Sequence, residues 1–224
     1  MGLIVTSYCH IFEKSVVVND QLSFFQENFL TFADFIKTIY KKEEIGYPRF
    51  YKMDTLSKLG FLSSAMVFKE KPIAGYPSDA VGVVMGNSSS SLDTDIVHND
   101  SIKDRAHYFP SPSVFVYTLP NIMIGEICIK NKINGENVFL ISENFDEKLL
   151  FDYTRELFES AGMEAILCGW VEAMGDRYEA LTLLVEKGHT ENVGITGGFT
   201  PFLFTEENLK QLIKRNRPEL LWKN

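Results

Sequence analysis

The amino-acid sequence predicts an α/β fold, a layered and mainly parallel sheet covered by helices. Three observations carry that prediction. Runs of almost wholly apolar residues at 80–85, 138–141, 165–169 and 181–185, broken only by Thr182, suit strands buried on both faces. Longer stretches place apolar residues three and four apart, which is the period of a helix with one buried side. The two patterns alternate along the chain, as in layered α/β folds and unlike helical bundles or β-sandwiches.

The first element expected is a strand over residues 3–9. Met1-Gly2 followed by Thr6 also fits a crude myristoylation pattern, but Leu3-Ile4-Val5-Thr6 reads as strand. Residues 20–41 then place Leu22, Phe25, Phe29, Phe32, Phe35, Ile36 and Ile39 at helical steps, which predicts a helix over the whole stretch. A basic turn at Tyr47-Pro48-Arg49 precedes a second helix over 54–69, with Asp54 as its N-cap. The strand at 80–85 ends in Gly86-Asn87 and four serines, Ser88 to Ser91. A helix is expected from about Pro120, a strand at 138–141, and an amphipathic helix over 145–160. Strands at 165–169 and 181–185 follow, and a last helix over 206–215 is capped by Thr205.

Composition narrows the function classes. The 224 residues are 45% hydrophobic and 23% charged, in the range of globular domains. Thirty acidic against 22 basic residues leave a net charge of −8, which favours neither nucleic acid nor an anionic membrane. The most apolar segment, 114–129, is broken by Pro120, Asn121 and Glu126 and reads as core rather than a membrane span. Cys9, Cys128 and Cys168 are odd in number, far apart and set among apolar residues, as reduced thiols of a cytoplasmic protein are. One domain over 1–224 is expected, with a short helical extension at about 186–224.

Four segments resemble β-ketoacyl-(acyl carrier protein) synthases of the thiolase superfamily, in the order found in the N-terminal half of that family. Met53-Asp54-Thr55-Leu56-Ser57-Lys58-Leu59 is similar to a Met-Asp-x-x-x-x-Leu helix opening. Val81-Gly82-Val83-Val84-Met85-Gly86 is similar to a Val-Gly-Val-Val-x-Gly strand. Asn121-Ile122-Met123-Ile124-Gly125 with Gly135-Glu136-Asn137-Val138 resembles an Asn-x-x-x-Gly helix followed by a Gly-Pro-Asn turn. Gly169-Trp170-Val171-Glu172 resembles a Gly-Gly-x-Glu turn. The resemblance covers about 1–185. It implies a thiolase-like half in βαβαβαββ order, acyl-transfer chemistry for the family, and a homodimer or a heterodimer with a complete ketosynthase. Acyl carrier protein is the further partner it implies.

The chain departs from the family at the nucleophile. Counted from Gly135 or back from Gly169, the family's cysteine position falls on Asn144, within Ser142-Glu143-Asn144-Phe145. An amide forms no thioester, and Glu143, Asp146 and Glu147 would disfavour a neighbouring thiolate. Asn144 is instead expected to cap the following helix, with Glu147 completing a capping box. The family's two catalytic histidines come from its second half, and none of His10, His98, His107 and His189 is expected to replace them. His10 adjoins Cys9, but neighbours on a strand point to opposite faces. The other three are expected at the surface.

No catalytic residue, cofactor or metal is therefore assigned. Gly86-Asn87-Ser88-Ser89-Ser90-Ser91 lacks the Gly-Lys-Ser/Thr ending of a phosphate loop. Asp93, Asp95, His98 and Asp100 read as a solvated loop rather than a metal site. Gly197-Gly198-Phe199-Thr200-Pro201-Phe202 reads as a turn with an apolar anchor. The expected function is an inactive ketosynthase-like partner subunit or dimeric half-fold in fatty-acid or polyketide-type biosynthesis. An active synthase with relocated residues is the alternative.

Overall fold

The computed structural model describes residues 2–25, 31–104, 106, 108–188 and 198–216. Eight strands form one mixed sheet: β1 (Gly2–Phe12), β2 (Ser15–Val18), β3 (Gln21–Phe25), β4 (Val81–Asn87), β5 (Asn137–Ile141), β6 (Ala165–Met174), β7 (Arg177–Gly188) and β8 (Phe202–Leu203). Their order is β3-β2-β1-β7-β6-β4-β5, and β8 adds to β1 at Ile4 and Val5. The α/β class is as expected, but the sheet is not mainly parallel. Only β4 with β5 and β4 with β6 run parallel; the other five pairings are antiparallel. The reason is that hairpins supply most of the chain's strands, whereas parallel pairs need helical crossovers.

Alternation along the strands builds a core on each face. Ala165 and Leu167 of β6 and Leu184 of β7 enter the core shared with α1 (Phe32–Lys42), α2 (Thr55–Glu70) and α5 (Ile122–Asn131). Ile166 and Cys168, with Leu183 and Val185, enter the opposite core beneath α6 (Glu147–Ser160) and α7 (Glu206–Asn216). The sheet thus lies between two helical layers. Cys9 belongs to the first core and Cys168 to the second, so the two thiols sit on opposite faces and all three cysteines are free.

The predicted helix at 20–41 begins much later. Residues 15–25 form a hairpin instead, turned at Asn19 and Asp20 with φ of 49° and 66°. Two residues in the left-handed region match the right-handed twist of antiparallel strands, and Asn and Asp tolerate that region. Leu22 and Phe25 are therefore exposed on β3. The helix α1 starts after Thr31, whose hydroxyl accepts from the Asp34 amide at 3.1 Å. Phe29 lies outside the described residues.

Asp54 caps α2 as expected, accepting from the Ser57 amide at 2.9 Å. Thr205 caps α7 in the same way, from the Asn208 amide at 3.2 Å. Segment 93–100 is not a loop: it lies within α3 (Leu92–Ile102). Segment 114–129 is core only in part. Met123, Ile124 and Ile127 of α5 are buried, while Phe115 and Val116 of α4 (Pro112–Val116) and Leu119 are exposed. Among the described residues, no helix is long and apolar enough to cross a membrane.

Candidate functional site

The parallel strands β4, β5 and β6 end at the same edge of the sheet, and ligand sites of open α/β sheets gather outside such carboxyl ends. A cavity of about 350 Å³ lies there. The loop after β4 contributes Ser88 and Ser89, the loop after β5 contributes Glu143, Asn144 and Phe145, and β6 contributes Trp170, Glu172 and Met174. Phe12 and Glu13 at the end of β1, and residues 176–179 at the start of β7, close the far side.

Gly169-Trp170-Val171-Glu172 is not a turn but the middle of β6; the chain reverses at Gly175, whose φ is +59°. That placement aims Glu172 at the loop after β4. Its Oε2 accepts from the Ser88 amide at 2.8 Å, the Ser88 hydroxyl at 2.7 Å and the Ser89 amide at 3.2 Å. Three donors that could have cradled a phosphate are filled by a carboxylate. The other oxygen, Oε1, is buried with no hydrogen-bond partner among the described residues. Residue spacing did not reveal this link between positions 84 apart. The signals for Glu172 itself were its place in the Gly169-Trp170-Val171-Glu172 segment and its being a lone acid in an apolar run.

Asn144 lines the cavity but does not cap α6. Asp146 is the cap, accepting from the Leu149 amide at 2.8 Å, and Glu147 is the first helical residue. Aspartate caps as well as asparagine does, and its position sets where the helix starts. Asn144 is exposed, and its main-chain carbonyl accepts from the Ser142 hydroxyl at 2.8 Å. Position 144 therefore stands two residues ahead of the cap, outside the first turn, where a helix dipole acts most strongly.

The remaining candidates are engaged elsewhere. His10 is buried at 2% exposure, 2.7 Å from Glu179, and forms no couple with Cys9. His98 is on α3, half-buried against Phe115 rather than in a surface loop, because the serine loop ends in a helix instead of running on. Its Nδ1 is buried without a partner among the described residues. Asp93 accepts from the Gly175 amide, Asp95 from the Ser91 hydroxyl, and Asp100 pairs with Lys103. His107, His189 and Gly197 lie outside the described residues, while Phe199 is buried against Tyr8 as the anchor of its turn.

None of the thiols is poised for attack. Burial pushes Cys9 and Cys168 up to about 12 and Cys128 up to about 11. In native protein at neutral pH, Cys9 and Cys168 are expected to resist iodoacetamide while denatured protein is labelled fully. An Asn144→Cys variant is expected to alkylate like any exposed thiol, with a midpoint at or above the ordinary value near ~8.5, because Glu143 and Asp146 oppose the thiolate. A midpoint below neutrality in the pH–rate profile would contradict this geometry.

The architecture matches a known one. The chain superposes on the ishigamide ketosynthase/chain length factor with a TM-score of 0.62 at 14% identity, covering 86% of this chain and 63% of that one. A β-ketoacyl synthase from Burkholderia phymatum STM815 gives 0.59 at 13% identity, over 84% of this chain and 59% of that one. The chain has the ketosynthase fold. A ketosynthase in complex with its chain length factor, from Xenorhabdus doucetiae, gives 0.51 at 13% identity over 84% and 80% of the two chains. No protein-family model and no curated protein matches the sequence. The chain thus spans somewhat under two thirds of the first ketosynthase-fold protein named, and at these identities the likeness is one of fold.

Proposed function

We propose that the chain is a non-catalytic subunit of a ketosynthase-fold assembly in acyl-carrier-protein-dependent biosynthesis of the fatty-acid or polyketide type. The observation that carries the reading is the cavity at the strand ends. Among the described residues, its lining holds an amide at position 144, several carboxylates and the Ser88 and Ser89 hydroxyls, but neither a thiol nor an imidazole. Acyl transfer by a covalent route needs a nucleophile with a base or dipole to activate it. Here Cys9 and Cys168 are buried in the two cores, and Cys128 is half-buried on α5, away from the cavity lining.

Pairing is the function left to such a chain, and its surface suits pairing. Among the described residues, strand β5 ends the sheet, bonded on one side only, and its sequence Asn137-Val138-Phe139-Leu140-Ile141 carries no charge or proline to guard the open edge. It was expected to be buried; as an edge strand it leaves Ile141 58% exposed. A second apolar surface is formed by Leu92, Ile96 and Val97 of α3 with Phe115 and Val116 of α4. Clustered exposed apolar side chains of this kind suit an interaction surface. The partner is a second copy of the chain or a complete ketosynthase.

Light scattering on the purified chain, alone and co-expressed with a ketosynthase from the same genome, tests this. A homodimer or a stable mixed complex is expected. Ile141→Lys is expected to weaken it by about tenfold or more, since a charge on an edge strand opposes further pairing. A monomer that pairs with no ketosynthase would refute the proposal.

A further inference from the structure

We infer that the cavity beside Asn144 is a binding site for a small organic cation, an ammonium group on an apolar stem. The inference rests on the non-catalytic role, which leaves the cavity free of acyl chemistry. A volume of about 350 Å³ is that of a small-molecule site. Its walls are aromatic: Phe12, Phe145, Trp170 and Tyr178 line it. Trp170 is held edge-on to Phe145, with ring centroids 5.7 Å apart at 85°, so the walls keep their shape without a ligand. Aromatic faces attract an ammonium through their quadrupole, and their area takes an apolar stem.

The charges around those walls select the sign. Glu13, Glu143, Glu172, Asp176 and Glu179 line the cavity, against Arg177 as the single cation of the lining among the described residues. His10 engages Glu179, and the Ser88–Ser89 donors engage Glu172, whose second oxygen is without a donor among the described residues. Glu13, Glu143 and Asp176 sit exposed at the rim. Aromatic walls beneath a net negative rim repel a carboxylate of the same size and shape, and focus a cation into the cavity. A matched amine and acid therefore separate this site from a merely apolar one.

Isothermal titration of the full chain with 4-phenylbutylamine and with 4-phenylbutyric acid, at neutral pH and low salt, tests the inference. The amine is expected to bind about tenfold or more tightly than the acid, with the difference shrinking as salt is added. The Glu143→Lys, Asp176→Lys double variant changes exposed residues only, and it is expected to abolish or reverse the preference while its thermal midpoint stays near the parent's. Equal or tighter binding of the acid would overturn the cation site. So would a lack of binding by the amine, or a preference that survives both substitutions. Intact mass after incubation with acyl carrier protein separates the two readings. An acylated chain overturns the non-catalytic role, whereas absent amine binding in an unacylated chain removes the cation site alone.

Discussion

Gly169→Ala is expected to lower the thermal midpoint by roughly 6–12 °C, or to prevent soluble expression, because it costs about 3 kcal/mol or more. A Cβ at this position would stand 2.1 Å from the Leu181 carbonyl oxygen and 2.9 Å from Thr182 Cα. Both belong to β7, which is bonded to β6 on one side and to β1 on the other. Backbone held by two ladders cannot step aside, so the substitution disturbs the centre of the sheet. Gly60 makes a useful contrast. Its Cβ would stand 2.1 Å from Met123 Sδ, but that atom belongs to a flexible side chain of α5 rather than to backbone. Gly60→Ala is therefore expected to cost less than Gly169→Ala, and chemical denaturation of both variants checks the order. Equal stabilities for Gly169→Ala and the parent would show that the β6–β7 contact is looser than described.

Tyr47→Phe is expected to cost about 2 kcal/mol at neutral pH, the penalty for leaving one oxygen of a buried carboxyl group, Glu126 Oε2, without its donor. The Tyr47 hydroxyl donates to Glu126 Oε2 at 2.7 Å, and Arg49 Nη2 reaches Oε1 at 2.9 Å. Glu126 is 3% exposed, so water cannot replace the lost phenol. The same contact makes stability depend on alkaline pH. Burial first, then the Glu126 hydrogen bond and charge, push the Tyr47 phenol up to about 12. A folded-state value above the unfolded one means that the contribution is complete below the ordinary value near ~10 and is lost as pH rises toward 12. Denaturation midpoints should thus fall between pH 10 and 12, and less steeply in Tyr47→Phe. Burial likewise raises Tyr76, Tyr117 and Tyr178, so the variant flattens the fall only in part. An unchanged slope would remove Tyr47 as its cause.

Elements governed by local chemistry were legible in the sequence. Asp54 and Thr205 announce their helices because a cap needs only a short polar side chain ahead of an apolar period. The runs at 80–85, 165–169 and 181–185 are central strands because nothing but burial on both faces explains them. The errors arose where one pattern serves two structures. Leu22 and Phe25 have helical spacing, yet the Asn19-Asp20 turn, closing a hairpin that begins in Val16-Val17-Val18, overrides it. Asn144 and Asp146 are both good caps, and only the fold chooses between them. Val138-Phe139-Leu140-Ile141 is apolar like a central strand, but a strand's place in the sheet is not written in its own residues.

The candidate site was legible at one position and hidden at the rest. Asn144 stood out because counts from Gly135 and back from Gly169, in segments that resemble a known family, both place that family's cysteine there, and it does line the cavity. Glu172 was visible as a lone acid in an apolar run and as part of a motif, but its hold on Ser88 and Ser89 needs β4 and β6 side by side. Phe12 and Tyr178 join the same walls from β1 and β7, far from Asn144 in sequence. Long-range convergence of this kind follows from strand order, not from spacing.

Intact-mass spectrometry of the full chain after incubation with malonyl- and acyl-loaded acyl carrier protein tests the central claim most directly. The expected result is an unchanged mass, in the absence and in the presence of a partner ketosynthase that itself becomes acylated. A mass increase of one acyl group on this chain, mapped to any side chain, would contradict the non-catalytic role.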